Sequence, residues 1–167
     1  MKLTILKYGN PILRKKSVNV TDFNCHLNKL SYDMIETMHS NSGIGLAAPQ
    51  IGILLRICVV DISSDKKKPL IMINPKIISN TGSIYNEEGC LSLPGFFGFI
   101  NRHKKMIVEF FDLECNIKEL ELNGLLARVV QHEIDHLDAK MFIDYLSDVE
   151  KNIIFEKINN KKKEGNW

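Results

Sequence analysis

The sequence lacks the features that mark exported, membrane-spanning and transit-targeted proteins. Its longest apolar runs, Ile57–Val60 and Gly95–Ile100, are far shorter than the roughly 20 residues that a transmembrane helix needs. The first residues form neither a long apolar signal segment nor an Arg- and Ser-rich transit sequence. We therefore expect a cytoplasmic protein that makes no contact with a membrane.

A large charge of one sign and paired cysteines are also missing. The 22 Lys and Arg residues nearly balance the 20 Asp and Glu residues, and the net charge of +2 argues against binding nucleic acid through bulk charge. The four cysteines contain no Cys-x-x-Cys pair, so we expect free thiols in a reducing compartment. Three of them, Cys25, Cys58 and Cys115, are interpreted as small buried apolar residues.

Three helices are predicted from the spacing of apolar residues and from their caps. The first spans about residues 26–40, with Asn24 or Thr21 as its cap. The second follows the Asn123-Gly124 turn, and the third begins at the capping box Ser147-Asp-Val-Glu150.

Strands are predicted between these helices. β-Branched runs mark about residues 56–62 and 70–79, and a hairpin is predicted over 104–122. We therefore expect an α+β fold in which partly antiparallel sheets pack around a central helix, with one helix at each end of the chain. The prediction is a single domain over residues 1–167, with residues 160–167 as a mobile basic tail.

The predicted second helix carries the pattern of a metal site. His132-Glu-Ile-Asp-His136 places two imidazoles one turn apart on one helix face, so both can bind one metal ion. Glu133 adjoins the first of them and can accept a proton from a water on that ion. A catalytic site of this kind usually has three protein ligands, and no histidine follows His136. Upstream, Cys90 lies in the stiff segment Glu87–Gly95 and is the candidate third ligand.

Three segments resemble, in their order and in their residues, the signature motifs of the peptide deformylase family. They are Gly43-Ile-Gly-Leu-Ala-Ala-Pro-Gln50, Glu88-Gly-Cys-Leu-Ser92 and Gln131-His-Glu-Ile-Asp-His-Leu137. The opening Ile5-Leu-Lys-Tyr-Gly-Asn-Pro-Ile-Leu-Arg14 is similar too, so the resemblance spans about residues 3–147. It implies metal-dependent removal of the formyl group from the N-terminal formyl-methionine of newly made polypeptides, with release of formate.

The resemblance also implies roles for individual residues. The three candidate ligands would bind the ion, and Glu133 would act first as a general base and then as a general acid. The Gln50 side-chain amide and the Leu91 backbone N–H would stabilise negative charge on the carbonyl oxygen. The segment that begins at Gly43 would run extended beside the substrate backbone. The remaining implied residues line the methionine pocket (Gly43, Ile44, Gly45, Leu125 and Val129) or flank the ligands (Glu88, Asp135 and Arg102).

The cofactor and the partners follow from the same resemblance. A thiolate with two imidazoles suits Fe²⁺, Zn²⁺, Ni²⁺ and Co²⁺. The resemblance favours Fe²⁺, which next to an oxidisable thiolate predicts sensitivity to oxygen. The implied partners are N-formyl-methionyl nascent peptides and, through Lys161-Lys-Lys163, the ribosome, without direct readout of a nucleic-acid sequence.

Two other functions share these residues. A zinc endopeptidase would use the same His-Glu-x-x-His helix but would need a third ligand downstream, and Glu150, Glu156 and Glu164 are better explained by a capped, solvated final helix. A binding module would keep the metal site without turnover. The three functions differ in whether they need Cys90 and in what they release.

Two positions depart from the family pattern. Ala139 stands where glycine is usual after the second helix, and alanine there costs about 1 kcal/mol if the position requires a positive φ. Phe96 and Phe97 stand where a basic residue is usual after the Cys90 loop. We expect the segment Gly95–Phe99 to line the substrate cleft, with an altered preference for the residues after methionine.

Overall fold

The computed structural model describes residues 1–167, and its chain alternates from a helix to a run of strands and back to helices. Three α-helices and seven β-strands are present. In chain order they are α1 (Cys25–Ser40), β1 (Gly45–Ala47), β2 (Ile57–Val60), β3 (Leu70–Thr81), β4 (Ile84–Cys90), β5 (Leu93–Arg102), β6 (Lys105–Phe111), β7 (Ile117–Asn123), α2 (Gly124–Leu137) and α3 (Asp148–Lys163). The predicted α+β class is confirmed.

The strands form one large sheet and one separate hairpin. Five strands pair antiparallel in the order β1-β2-β3-β6-β7, and β4 pairs only with β5. Strand β1 therefore lies at the edge of the large sheet. No helix is both long enough and apolar enough to cross a membrane.

Helix α2 is the central helix that the sequence predicts. Its apolar side packs on the large sheet, where Val130 and Leu137 are fully buried together with Val108 of β6. On its other side, His132 contacts Glu88 of β4, so the helix lies between the sheet and the hairpin. A second core holds the hairpin against α3 and the 3₁₀ helix at Phe142–Tyr145.

The helix ends follow the predicted capping chemistry. Asn24 accepts hydrogen bonds from the backbone of the first turn of α1, and Ser147 caps α3 in a capping box. At the end of α2, the N–H of Ala139 donates to His136 and that of Lys140 donates to Asp135, which is a Schellman arrangement. Ala139 has a φ of 64°, so the left-handed position that usually takes glycine is filled by alanine.

Two expectations differ from the structure. The hairpin β4–β5 was not predicted from the sequence. Its strands contain Gly89, Gly95 and Gly98, and glycines within a segment are more typical of a loop than of a strand. A Cβ at Gly98 would lie 2.7 Å from the Leu146 side chain, so close packing explains that glycine.

The interpretation of the cysteines is wrong for two of the three. Cys58 is buried, and its burial raises the pKa of its thiol, but Cys25 and Cys115 are exposed. Cys25 is the first residue of α1, and Cys115 occupies the β6–β7 turn with a φ of 63°, so local turn geometry places both at the surface.

The end of the chain contacts its beginning and the hairpin. Helix α3 continues to Lys163, and the Trp167 indole N–H donates to the Tyr8 carbonyl at 3.2 Å. The Trp167 ring also lies edge-on to Phe96, which removes apolar surface from water.

Candidate metal centre and substrate cleft

A large cleft lies between β1, the hairpin β4–β5 and α2. Its volume is about 640 Å³, which is in the range of sites that bind small ligands. The edge strand contributes Gly45 together with the two residues before it, the hairpin contributes Cys90 and Phe97, and α2 contributes one face. Every element that the motif residues occupy therefore reaches one cavity.

The three candidate ligands converge at this cleft. The Cys90 Sγ lies 3.2 Å from the His136 Nε2, which in turn lies 3.2 Å from the His132 Nε2. All three ligand atoms fall within 4.8 Å of one another. Two imidazole nitrogens and one sulfur this close together are a donor set that suits a catalytic transition-metal site.

Neighbouring groups orient the ligands for a metal ion. The His132 Nδ1 lies 3.0 Å from the Glu88 carboxylate, so it donates its proton there and leaves the Nε2 lone pair directed at the centre. Burial lowers the pKa of His136 well below its usual value and favours the neutral imidazole that a metal requires. The residues present therefore fit one divalent ion.

Local structure explains how each ligand is positioned. One turn of α2 separates the two histidines, so both side chains leave the same helix face. Cys90 ends β4, at a register shift between Gly89 and Cys90 where the strand departs from regular pairing. The bulge directs the thiol toward α2.

Glu133 lies in the same cleft and has an unpaired carboxylate oxygen. The side chain is buried, and its Oε2 has no hydrogen-bond partner. Burial raises the pKa of Glu133 to about 7. A Cβ at Gly45 would lie 2.2 Å from the Glu133 Oε1, so only glycine leaves room for this carboxylate.

Gln50 is held rigidly beside Cys90. Its Oε1 accepts a hydrogen bond of 2.8 Å from the Ala47 N–H, which directs its Nε2 toward the Cys90 Sγ at 3.5 Å and the Ser92 Oγ at 3.2 Å. Leu91 follows Cys90 and lines the cleft. Both predicted donors thus adjoin the ligand centre.

The residues predicted around the ligands form one buried ionic network. Arg102 donates from Nε and Nη2 to the two Glu88 oxygens at 3.0 Å each, and from Nη1 to Asp135. Tyr145 donates to the second Asp135 oxygen at 3.0 Å. Burial by itself would raise the pKa of Glu88, but the hydrogen bonds from His132 and Arg102 outweigh it and lower that pKa to about 2.

The predicted pocket residues all line the cleft, with different exposure. Ile44 and Leu125 are exposed large apolar residues, whereas Val129 is 8% exposed and belongs to the main core as well. Phe96 and Phe97 are the two aromatic residues that depart from the family pattern. Phe97 lines the cleft and is exposed, whereas Phe96 is buried.

Two further polar residues near the cleft were not predicted from the sequence to have a role. Ser92 is fully buried, and its hydroxyl oxygen accepts a hydrogen bond from the Gln50 amide. Its position directly after Cys90-Leu91 in the motif is the signal for it. Arg128 donates to the Glu87 carbonyl at 2.6 Å and lies four residues before His132, so helical spacing alone puts it on the ligand face.

Comparison with known proteins gives one consistent result. The profile of the family described as polypeptide deformylase matches residues 2–152. The peptide deformylase of Endomicrobium trichonymphae is 54% identical over 166 residues, which is 99% of both chains. The crystal structure of a peptide deformylase from Legionella pneumophila is 40% identical, with a TM-score of 0.93 over 98% of this chain and 96% of that one. The peptide deformylase of Ehrlichia chaffeensis in complex with actinonin is 38% identical, with a TM-score of 0.91 over 98% of each chain.

Proposed function

The chain belongs to the polypeptide deformylase family, and from this membership we propose how its cleft performs the family's reaction. The protein is a metal-dependent hydrolase that removes the formyl group from the N-terminal formyl-methionine of newly made polypeptides and releases formate. One observation carries the assignment of the site: the three candidate ligand atoms lie within 4.8 Å of one another beside a cleft that is also lined by Glu133, a buried carboxylate with an unpaired oxygen. We infer that residues 1–167 form one catalytic domain.

Cys90, His132 and His136 are our proposed metal ligands, and Fe²⁺ is the proposed ion. Their donor set suits Zn²⁺, Ni²⁺ and Co²⁺ as well, so the identity of the ion is decided by anaerobic purification and elemental analysis. When bound, the ion supplies a Lewis acid that lowers the pKa of a water molecule and polarises the formyl carbonyl. Glu88, Arg102 and Asp135 hold the ligands in position.

Glu133 is the proposed general base. Its carboxylate is buried next to His132, and its Oε2 is free to accept a proton from the attacking water. The same carboxylate then donates that proton to the amine that leaves. One residue thus serves both proton transfers.

Gln50 and Leu91 are proposed to stabilise the negative charge that develops on the formyl oxygen. The Gln50 amide is preorganised because its carbonyl oxygen is already bonded to the Ala47 N–H. A fixed donor in a buried site stabilises a developing charge without reorganising during the reaction. The Leu91 backbone N–H would add a second donor from the hairpin side.

The methionine pocket is proposed to consist of Gly43, Ile44, Gly45, Leu125 and Val129. Because β1 is an edge strand that adjoins the cleft, its outer backbone groups are available to an extended peptide. The substrate backbone would add to this edge as one more strand, and the apolar side chains would contact the methionine side chain.

The proposed setting is the cytoplasm, where nascent polypeptides carry the formyl group. Lys161, Lys162 and Lys163 end α3 on the surface and form a basic segment that suits the ribosome as a partner. Cosedimentation with ribosomes, before and after removal of residues 160–167, tests this contact. Unchanged cosedimentation after the truncation would refute it.

Endopeptidase activity is not favoured for this site. It would need a metal ligand downstream of His136, but Glu150, Glu156 and Glu164 belong to α3 and its end, and Glu150 is engaged in the helix cap. If the protein were such an endopeptidase, Cys90→Ala would leave its metal content unchanged. If Cys90 is a metal ligand, as proposed for the deformylase, the same variant loses the ion.

The deciding experiment combines metal analysis with formate release from a formyl-methionyl tripeptide, under anaerobic conditions. The wild type should release formate, and Glu133→Ala should retain metal but lose about 10²–10⁴-fold in kcat, the contribution of a general base. Cys90→Ala should lose the metal. A fully loaded wild type that releases no formate would refute the proposed chemistry.

A further inference from the structure

The outer face of the β4–β5 hairpin carries three exposed aromatic rings. Tyr85 is 61% exposed, Phe97 is 60% exposed and Phe99 is 49% exposed. Side chains alternate between the two faces of a strand, and these three residues alternate with the buried Glu88, Ile100 and Arg102. We call Tyr85, Phe97 and Phe99 the aromatic face.

Two of the three rings are in contact, and the third lies two residues away on the same side of β5. The ring centroids of Tyr85 and Phe99 lie 5.6 Å apart, which is contact distance for tilted aromatic rings. Phe97 covers Gly89 on the neighbouring strand, where an added Cβ would lie 2.7 Å from a ring carbon. Scattered exposed apolar residues are ordinary, but a contiguous exposed patch marks a binding surface.

The aromatic face is continuous with the substrate cleft. Phe97 lines the cleft together with Cys90, whereas Tyr85 and Phe99 lie beyond it. Phe97 pairs with Gly89, the residue before Cys90, and Tyr85 pairs with Asn101 further along the hairpin. At about 3.3 Å per residue, the face therefore extends about 13 Å away from the metal ligand along the strands.

We propose that the aromatic face binds the part of the substrate polypeptide that follows the formyl-methionine, and that it favours apolar side chains at about the third to sixth residues. This inference rests on the proposed function, because a substrate held at Cys90 must continue out of the cleft. Alternate side chains of an extended peptide are about 7 Å apart, the same spacing as Phe97 and Phe99 on their strand. The aromatic face would thus distinguish substrates by the residues that follow the formyl-methionine.

The area of the face suits a peptide better than a second copy of this chain. A large aromatic side chain buries about 150–250 Å² when fully covered, so three half-exposed rings offer about 300–400 Å². A stable protein interface needs about 800 Å² from each partner. A peptide of a few residues can cover the smaller area completely.

The test compares formyl-methionyl peptides of different length and sequence. One substrate is a tripeptide, and two are octapeptides with either leucine or serine at positions four and six. With the wild type, the leucine octapeptide should exceed the serine octapeptide about tenfold in kcat/KM, which corresponds to about 1.4 kcal/mol. Phe99→Ser and Tyr85→Ser should each reduce this ratio toward one.

Tyr32→Ser is the matched control. Tyr32 is 62% exposed on α1, outside the cleft and the hairpin, so this variant loses the same kind of side chain and should keep the full ratio. Because each ratio compares two peptides on one enzyme, differences in expression or metal loading cancel.

A binding measurement makes the result independent of turnover. Fluorescence anisotropy with labelled leucine and serine octapeptides and the Glu133→Ala enzyme should give the same tenfold preference in Kd, lost in Phe99→Ser. Equal ratios in the wild type and in Phe99→Ser would overturn the proposal. It would also be overturned if the wild type were a dimer by sedimentation and Phe99→Ser a monomer, since the face would then join two copies. Failure of the tripeptide reaction alone would refute the proposed chemistry and not this preference.

Discussion

Replacing Ala139 by glycine should stabilise the protein, because the end of α2 holds alanine in a conformation that suits glycine. Ala139 has a φ of 64°, and its N–H and that of Lys140 close the helix by hydrogen bonds to His136 and Asp135. Those bonds depend on the left-handed geometry and use backbone atoms alone. Glycine can therefore retain every one of them.

The magnitude follows from two opposing effects. A non-glycine residue in the left-handed region costs about 1–2 kcal/mol, and glycine removes this cost. Glycine loses about 0.5–1 kcal/mol more backbone entropy on folding. Since the Ala139 side chain is only partly buried, loss of its methyl group changes the balance little. The net gain in the free energy of unfolding should be about 0.5–1 kcal/mol, or about 1–4 °C in Tm for a chain of this size.

Urea unfolding of the metal-stripped protein, followed by circular dichroism, measures this gain. Lys157→Gly is the control, because Lys157 lies on the exposed side of α3, where glycine should instead cost about 1 kcal/mol. If Ala139→Gly left the free energy of unfolding unchanged or lowered it, the argument that alanine is strained there would be wrong.

Three further predictions concern the cleft, the ionic network and acid stability. Gly45→Ala should reduce kcat at least about 100-fold with metal retained, because the new methyl group displaces the Glu133 carboxylate; near-normal formate release would contradict this. Arg102→Met should destabilise the fold by about 3–5 kcal/mol in urea unfolding, since it leaves buried carboxylates without their cation, and a loss below about 1 kcal/mol would refute it. Burial would raise the pKa of Asp144, but the hydrogen bond from Arg14 outweighs burial, and the pKa of the folded state is lowered. The ionised Asp144 therefore stabilises the fold above the pKa of an unfolded carboxyl group, and this stabilisation is lost as the pH falls through the lower folded value. Unfolding of the metal-stripped Asp144→Asn variant between about pH 5 and 3 should accordingly depend less on pH than that of the wild type, and equal slopes would exclude the pair as a cause.

Local sequence patterns determined the helices and two of the three proposed metal ligands. Helical periodicity places His132 and His136 on one face wherever the helix lies, because 3.6 residues complete a turn. Capping chemistry likewise acts over three or four residues, so Asn24 and Ser147 mark their helices correctly. The unusual alanine after α2 was visible from the family resemblance.

Tertiary structure decided what joins distant parts of the chain. Cys90 is 46 residues from His136, and only the packing of the hairpin against α2 brings their ligand atoms to 3.2 Å. The fit of Gly45 against Glu133 has the same origin, since an edge strand and a helix meet there without any local signal. The hairpin itself was missed because glycine-rich strands lack a propensity pattern, and its pairing is set by register and burial. Sequence therefore specified what short-range backbone geometry controls, and the fold specified the contacts that depend on burying surfaces far apart in the chain.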